Sequence, residues 1–255
     1  MASKTYSLRA LVLRRTKLGE SDVICTLLAE DGSQVRAVAK GARKPSSSFA
    51  SRLEVYAVCD LLLCEGRSLD IVKEARLVQG NAHLRSDISL MEAAAPMVEL
   101  LDKASQDGLQ DERLFPMACA ALDALGKEGS VPPCAITAAE LLKTLSVLGF
   151  RPRFDLCIAC GRAVSVETLP SNVAFSLDEG GMVCPDCKGS AEAIRISGSM
   201  AAWAQAFIFS TFNDIRGFQL TEGSCFEVLR FLQMWIRRHL GVRLKSLDFL
   251  ISNPI

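Results

Sequence analysis

Histidine is almost absent from this chain. The 255 residues contain two, His83 and His239, and neither stands near residues that could complete a nucleophilic triad. There is no Gly-x-x-x-x-Gly-Lys-Ser/Thr loop to cradle a nucleotide phosphate and no Gly-x-Ser-x-Gly elbow. Clustered carboxylates on a β scaffold, which a metal-dependent nuclease would need, are also missing, so a non-enzymatic protein is expected. Nothing approaches the ~18 consecutive apolar residues of a membrane span. The opening MASKTYSLRALVLRRTKLGES keeps its charges where a secretory leader would be uniformly apolar. A cytoplasmic protein is expected, with no membrane partner. Aromatic residues make up only 6% of the chain, and the net charge is zero.

Cysteine, by contrast, is plentiful, with ten residues. In a cytoplasmic chain of this length that number points to metal ligands and buried thiols rather than disulfides. Cys25, Cys59, Cys64, Cys119, Cys134 and Cys225 lie singly among apolar residues and read as small core residues. The other four form two Cys-x-x-Cys pairs, Cys157/Cys160 and Cys184/Cys187, separated by 23 residues. Each pair can present two thiolates to one ion from a tight turn, and four thiolates fill a tetrahedral shell. One structural Zn2+ is expected. A redox dithiol would want a βαβ context that AFSLDEGGMVC does not supply, and a catalytic zinc would keep an open position.

The hydropathy period changes once along the chain. Residues 1–80 hold five short apolar or alternating runs, SLRALVLRR, VICTLLAE, SQVRAVAKG, LEVYAVCDLLLCEG and LDIVKEARLVQ, divided by turn-forming LGES, EDG, KPSSS and EGRS. Five strands without a helical interruption predict a small closed barrel, with the OB-fold as leading candidate and an SH3-like barrel as the alternative. After QGNAH the pattern becomes Ala/Leu-rich and helical, from DISLMEAAAPMVELLDKAS onward. The expected class is therefore α+β: an OB-fold domain over 1–80, then a helical domain over 81–255 with a zinc-ribbon-like lobe inserted at about 152–190. In SCFEVLRFLQMWIRRHLG, Glu227, Arg230, Gln233 and Arg237 form a narrow polar stripe, which predicts a mostly buried helix.

The zero net charge conceals an asymmetry. Residues 1–80 carry 13 Lys and Arg against 9 Asp and Glu, so the remainder is acidic by the same amount. Arg14, Arg15 and Lys17 stand in RRTKLGESD, and Arg36, Lys40, Arg43 and Lys44 in VRAVAKGARKP. In the strand of Val35, Ala37 and Ala39, alternation sends Arg36 and Lys40 to the opposite face, beside a loop bearing Arg43 and Lys44. A solvated surface would account for such charges, but an OB-type barrel uses this kind of face and loop to track a phosphate backbone. Only Tyr6, Phe49 and Tyr56 are aromatic in this domain. Phe49 is the candidate for stacking a base, and the two tyrosines are expected in the core. Contacts should be electrostatic, blind to sequence and sensitive to salt.

ALVLRRTKLGESDVICTLLAEDGSQVRAVAKGARKP followed by RLEVYAVCDLLL closely resembles the N-terminal OB domain of the bacterial RecO family of recombination mediators. LLKTLSVLGFRPRFDLCIACG, FSLDEGGMVCPDC and RLKSLDFL resemble that family's helical domain and zinc lobe. The resemblance implies a protein of recombinational DNA repair that binds single- and double-stranded DNA, anneals complementary strands, and works with RecR and single-stranded DNA-binding protein (SSB) to load RecA. It assigns DNA contact to Arg14, Arg15, Lys17, Arg36, Lys40, Arg43 and Lys44, and zinc to Cys157, Cys160, Cys184 and Cys187. It further implies that the acidic tail of SSB is received in the helical domain, for which the helix of Arg230, Trp235, Arg237 and Arg238 is a candidate. One departure is SSSFASR, where the family's loop is more basic and richer in glycine. The alternative reading is a zinc-ribbon nucleic-acid adaptor of transcription or translation, with the four-cysteine lobe as the binding element.

Overall fold

Alternation of apolar and polar residues gives five strands, β1 (Thr5–Leu18), β2 (Asp22–Ala29), β3 (Gln34–Ala39), β4 (Val58–Cys64) and β5 (Asp70–Gln79). They close into a barrel in the order β1-β2-β3-β5-β4, the OB-type arrangement expected for this segment. All pairs are antiparallel except β3–β5, which meet in parallel at Ala37↔Asp70 and Val38↔Ile71. The interior is filled by small and medium side chains, among them Ala10, Val12, Cys25, Leu27, Ala37 and Leu63. The computed structural model describes residues 4–105, 110–127, 129, 131–165, 169–189 and 191–253, and forms two compact units, Met1–Gly126 and Lys127–Ile255.

The first unit contains the barrel and three helices, α1 (Ala82–Ser86), α2 (Ile88–Ala104) and α3 (Leu114–Leu125). Asp87 caps α2 by accepting the Leu90 N–H. The apolar side of α2 packs against β1 and β2, whose outward-facing Leu11 and Leu28 are fully buried. The β2–β3 turn needs Gly32, which has φ +83° and whose missing Cβ would lie 2.0 Å from the Asp111 carbonyl oxygen.

The second unit is built from α4 (Pro133–Val147), α5 (Gly198–Phe209), α6 (Phe212–Ile215), α7 (Glu222–Leu240) and α8 (Lys245–Ser252), with a four-stranded sheet between α4 and α5 in sequence. That sheet comprises β6 (Arg153–Cys157), β7 (Asn172–Ser176), β8 (Gly181–Val183) and β9 (Ile194–Ser197), ordered β6-β8-β7-β9. It is joined to α7 by aromatic packing, Phe154 and Phe175 meeting Phe231 at centroid distances of 5.6 and 5.2 Å. Trp235 is buried there and donates its indole N–H to the Phe150 carbonyl at 2.8 Å. His239, in the last turn of α7, lies 3.9 Å from Trp235, ring centre to ring centre, with Nε2 2.8 Å from the Leu177 carbonyl. The polar stripe of α7 is exposed or half-buried as periodicity predicts.

Helix α4 also buries a carboxyl. Glu140 is 0% exposed, accepts the Thr144 hydroxyl at 2.7 Å through Oε1, and leaves Oε2 without a hydrogen-bond partner among the described residues. Burial raises its pKa from 4.5 to about 8, against the opposing Thr144 bond. A carboxyl raised in the folded state contributes stability that is fully present below the unfolded value and is lost as pH climbs through the folded one. Every tenfold difference in proton affinity between the folded and unfolded chain is worth about 1.4 kcal/mol. Thermal melts followed by circular dichroism between about pH 5 and pH 9 should show wild type losing more stability than Glu140→Gln, which carries no titrating proton. Identical pH dependence in the two proteins would mean the carboxyl is not held neutral.

Candidate metal centre and nucleic-acid interface

Cys157 ends β6, Cys160 follows in a turn, Cys184 follows β8, and Cys187 closes a one-turn 3₁₀ helix, Pro185–Cys187. The first knuckle is fixed by the Gly161 N–H donating to the Cys157 carbonyl at 2.8 Å, with Gly161 at φ +71°. The second uses the Cys187 N–H on the Cys184 carbonyl at 3.0 Å. All four sulfurs lie within 4.8 Å of one another, and Cys160 and Cys184 Sγ are 3.8 Å apart. A tetrahedral ion with metal–sulfur bonds of about 2.3 Å requires sulfurs about 3.8 Å apart, so the cage already has the span of a four-thiolate site.

The protonation behaviour of the cage agrees with that fit. The Cys184 N–H donates to Cys157 Sγ at 3.3 Å and, as the largest of several such donors, lowers the Cys157 thiol to about 6. Cys187 is pushed up to about 12, chiefly by its hydrogen bonds to Cys184 and Cys160. Four crowded thiols resist ionising together, and a divalent cation removes that resistance. An ion pair between Arg162 and Asp186 links the two knuckles on the surface. The six single cysteines are buried, except for half-buried Cys119.

The candidate DNA-contacting residues sort by strand register. A β-bulge in β1 between Val12 and Arg14 shifts the pairing by one, so Arg14 opposes Thr26, which opposes Arg36, while Arg15 opposes interior Cys25. Arg14 and Arg36 therefore share the outer surface and Arg15 turns to the core side. Arg14 is held by Asp102 at 2.8 Å and Arg15 by Glu54. Lys17 opposes Val23, which opposes Ala39, and this row places Lys17 at the end of the barrel where Lys40, Arg43 and Lys44 leave β3.

Asp22 anchors that end. It accepts the Gly41 N–H at 2.8 Å and the Ser21 hydroxyl at 2.9 Å, and its carboxyl is held below the usual range by these bonds, with Lys40 and Lys44 adding to the effect. Arg43 donates from Nη1 to the carbonyls of Gly19 and Glu20 at 3.2 and 2.9 Å, clamping the loop to the β1–β2 turn. Lys17, Lys40, Arg43 and Lys44 are all exposed. Lys17 and Arg36 have no hydrogen bond or ion pair from their side chains among the described residues. Phe49, the expected stacking residue, is half-buried and packs against the barrel core rather than standing out on the loop. Tyr56 is buried and Tyr6 partly so, as expected. The sequence pattern does not single out Arg9 and Arg76, both bound to Asp60, a carboxylate these two guanidinium groups lower to about 2. The sequence interval between these residues hides their adjacency, which strand pairing creates.

Three of the four α7 residues considered for an acidic peptide tail are engaged within the chain. Trp235 is 1% exposed, and Arg237 and Arg238 pair with Asp248 and Asp178. Cobalt(II) added to the reduced, metal-free protein should bind one equivalent and give the intense absorption of tetrahedral thiolate coordination, and Cys184→Ser should weaken that binding by well over tenfold. Octahedral spectra, or equal affinity in the variant, would show that the four sulfurs do not act together.

Comparison with known proteins matches both halves of the chain. A family model described as Recombination protein O N terminal matches residues 1–81, and one described as Recombination protein O C terminal matches residues 85–248. The DNA repair protein RecO of Desulfitobacterium hafniense is 31% identical over 245 residues, covering 94% of this chain and 87% of its own. That of Bifidobacterium longum is 37% identical over 181 residues, covering 70% and 72%. That of Bifidobacterium adolescentis is 30% identical over 247 residues, covering 96% and 98%. With the closed barrel, the helices and the four-cysteine cluster in place, the chain belongs to the recombination protein O family.

Proposed function

We propose that this chain is a non-enzymatic, cytoplasmic and nucleoid-associated mediator of recombinational DNA repair, which binds single- and double-stranded DNA through its barrel and anneals complementary strands. The observation that carries the reading is the exposed cluster of Lys17, Lys40, Arg43 and Lys44 at one end of an OB-type barrel. Cations on a fixed loop neutralise phosphates and release counterions, which lowers the repulsion between two strands without any chemical step. Arg14, Arg15 and Arg36 complete the proposed contact set. Arg14 and Arg15 would have to exchange Asp102 and Glu54 for phosphate, so their share should be smaller.

In this reading 1–80 is the DNA-binding domain and 81–255 the part that recruits partners. Those partners are RecR and the acidic C-terminal tail of SSB, with RecA loaded onto SSB-coated DNA as the outcome. The ion in the cysteine cage is proposed to be a single structural Zn2+. Four thiolates would leave it no open position for substrate, so its contribution is to hold the knuckles together. The zinc-ribbon adaptor reading differs in where nucleic acid binds.

Annealing of complementary strands coated with the cognate SSB, without ATP and at two salt concentrations, tests the proposal. Annealing should be rapid and should weaken with salt. Replacing Lys17, Lys40 and Lys44 by Glu should reduce the slope of log affinity against log salt on single strands by about 2, at roughly 0.7 per lost contact. Undiminished DNA binding in that variant would favour the adaptor reading. DNA binding without any annealing would remove the mediator reading.

A further inference from the structure

Two of the cysteines outside the metal cage meet each other. Cys134 lies in the first turn of α4 and Cys225 in the first turn of α7. These helices pack together, and the Cys225 thiol is hydrogen-bonded to Cys134 across the seam. Both are free thiols, Cys134 at 4% exposure and Cys225 at 0%. Cys225 is held protonated, first by its bond to Cys134 and then by burial. Cys59, by contrast, gives its thiol hydrogen to the Arg52 carbonyl at 2.9 Å. The two helix ends are also fastened differently. Thr221 caps α7 by accepting the Ser224 N–H, whereas Pro132 gives α4 no side-chain cap, and an uncapped end is where a helix opens first.

We propose that Cys134 and Cys225 are an oxidisable dithiol, which hydrogen peroxide converts to a disulfide that ties α4 to α7. Cys134 attacks one peroxide oxygen and the O–O bond breaks, leaving a sulfenic acid on Cys134 and one water. Cys225 then displaces the hydroxyl group, which leaves as a second water as the S–S bond forms. Both thiol protons depart in the two waters, and the two electrons lost by the sulfurs reduce the peroxide. Cys134 takes the first step because it reaches the surface at the end of α4 that opens, while Cys225 is fully buried with its proton held. Two hydrogen-bonded thiols are already within about 2 Å of the separation a disulfide needs. The bond closes a ring that contains the whole four-stranded sheet and all four cage cysteines. Cys160 of the cage is exposed and open to the same oxidant, so the latch would hold α4 and α7 together where the ion is lost. Thiol reductants reverse it. The proposal goes beyond the mediator reading and stands whether or not the barrel anneals DNA.

Reduced, metal-loaded, full-length protein treated with a few equivalents of hydrogen peroxide, then alkylated and digested with trypsin without reductant, tests it. Mass spectrometry should find the peptide of residues 128–143 joined to that of residues 217–230, with the metal content of the protein unchanged. Dithiothreitol should separate them. The oxidised protein should melt about 5–10 °C above the reduced one, and Cys225→Ser should lose both the link and the difference in melting. In that variant the sulfenic acid on Cys134 has no partner, so dimedone should label Cys134 at least about tenfold more than in wild type. Cys225→Ala supplies the same comparison if serine costs the fold. Absence of the linked peptide, a link that forms only after a chelator has stripped the ion, or equal dimedone labelling of Cys134 in wild type and variant would each overturn the proposal.

Discussion

The barrel is closed by one short contact. β3 and β5 meet in parallel over two residue pairs, Ala37↔Asp70 and Val38↔Ile71, whereas the antiparallel seams β1–β2 and β1–β4 run the full length of β2 and of β4. So brief a parallel pairing contributes little by itself, and the chain between β3 and β4 has to complete the wall. It does so with Ala42, Leu53 and Ala57 in the interior cluster, Phe49 packed against it, and Arg52 donating to the Ala75 carbonyl at 3.0 Å. Phe49 is thereby committed to the barrel, which is why the loop's aromatic residue does not stand free to stack a base. The start of the same segment carries Lys40, Arg43 and Lys44, and Asp22 and the β1–β2 turn hold it in place. The position of the basic cluster is thus a consequence of how the barrel is closed.

The second unit solves a different problem. Its four-stranded sheet is short, with β8 only three residues long, and buries one cluster of rings, Phe154 and Phe175, against Phe231 and Trp235 of α7. The four sulfurs converge where β6 and β8 end. Small lobes that cannot bury enough surface commonly rely on a metal or disulfide for this reason. Without the ion, Cys157 favours the thiolate while Cys187 resists it, a disparity that a shared cation would erase.

Much of this was legible in the sequence, because the relevant signals are local. Strand alternation, the Cys-x-x-Cys knuckles and the helical stripe of α7 each depend on neighbours a few residues apart, and each appears where the period places it. What could not be read depends on partners remote in sequence. Consecutive Arg14 and Arg15 must face opposite sides of the strand, but which of them turns outward is decided by the bulge between Val12 and Arg14, and their partners, Asp102 for one and Glu54 for the other, come from remote segments. The burial of Trp235 follows from the narrow polar stripe of α7, but that Phe175 and Phe231 are the rings packed on it does not. The burial of Glu140 carries no sequence signature at all, since a single glutamate in an Ala/Leu-rich helix usually marks its solvent side.

The charge asymmetry shows why composition overstates the interface. Residues 81–126, which share the first compact unit with the barrel, carry 3 Lys and Arg against 8 Asp and Glu. The excess of positive charge in 1–80 is therefore cancelled within the unit, and one of the cancelling acids, Asp102, sits directly on Arg14. Charges separated by more than about 8–10 Å are largely screened at physiological salt, so a phosphate responds to the cations near it and not to the sum over the unit. At the end bearing Lys17, Lys40, Arg43 and Lys44 the nearby acids are Asp22, which backbone and hydroxyl donors already occupy, and exposed Glu20, whose carbonyl accepts from Arg43. A chain with no net charge can in this way carry a locally basic end.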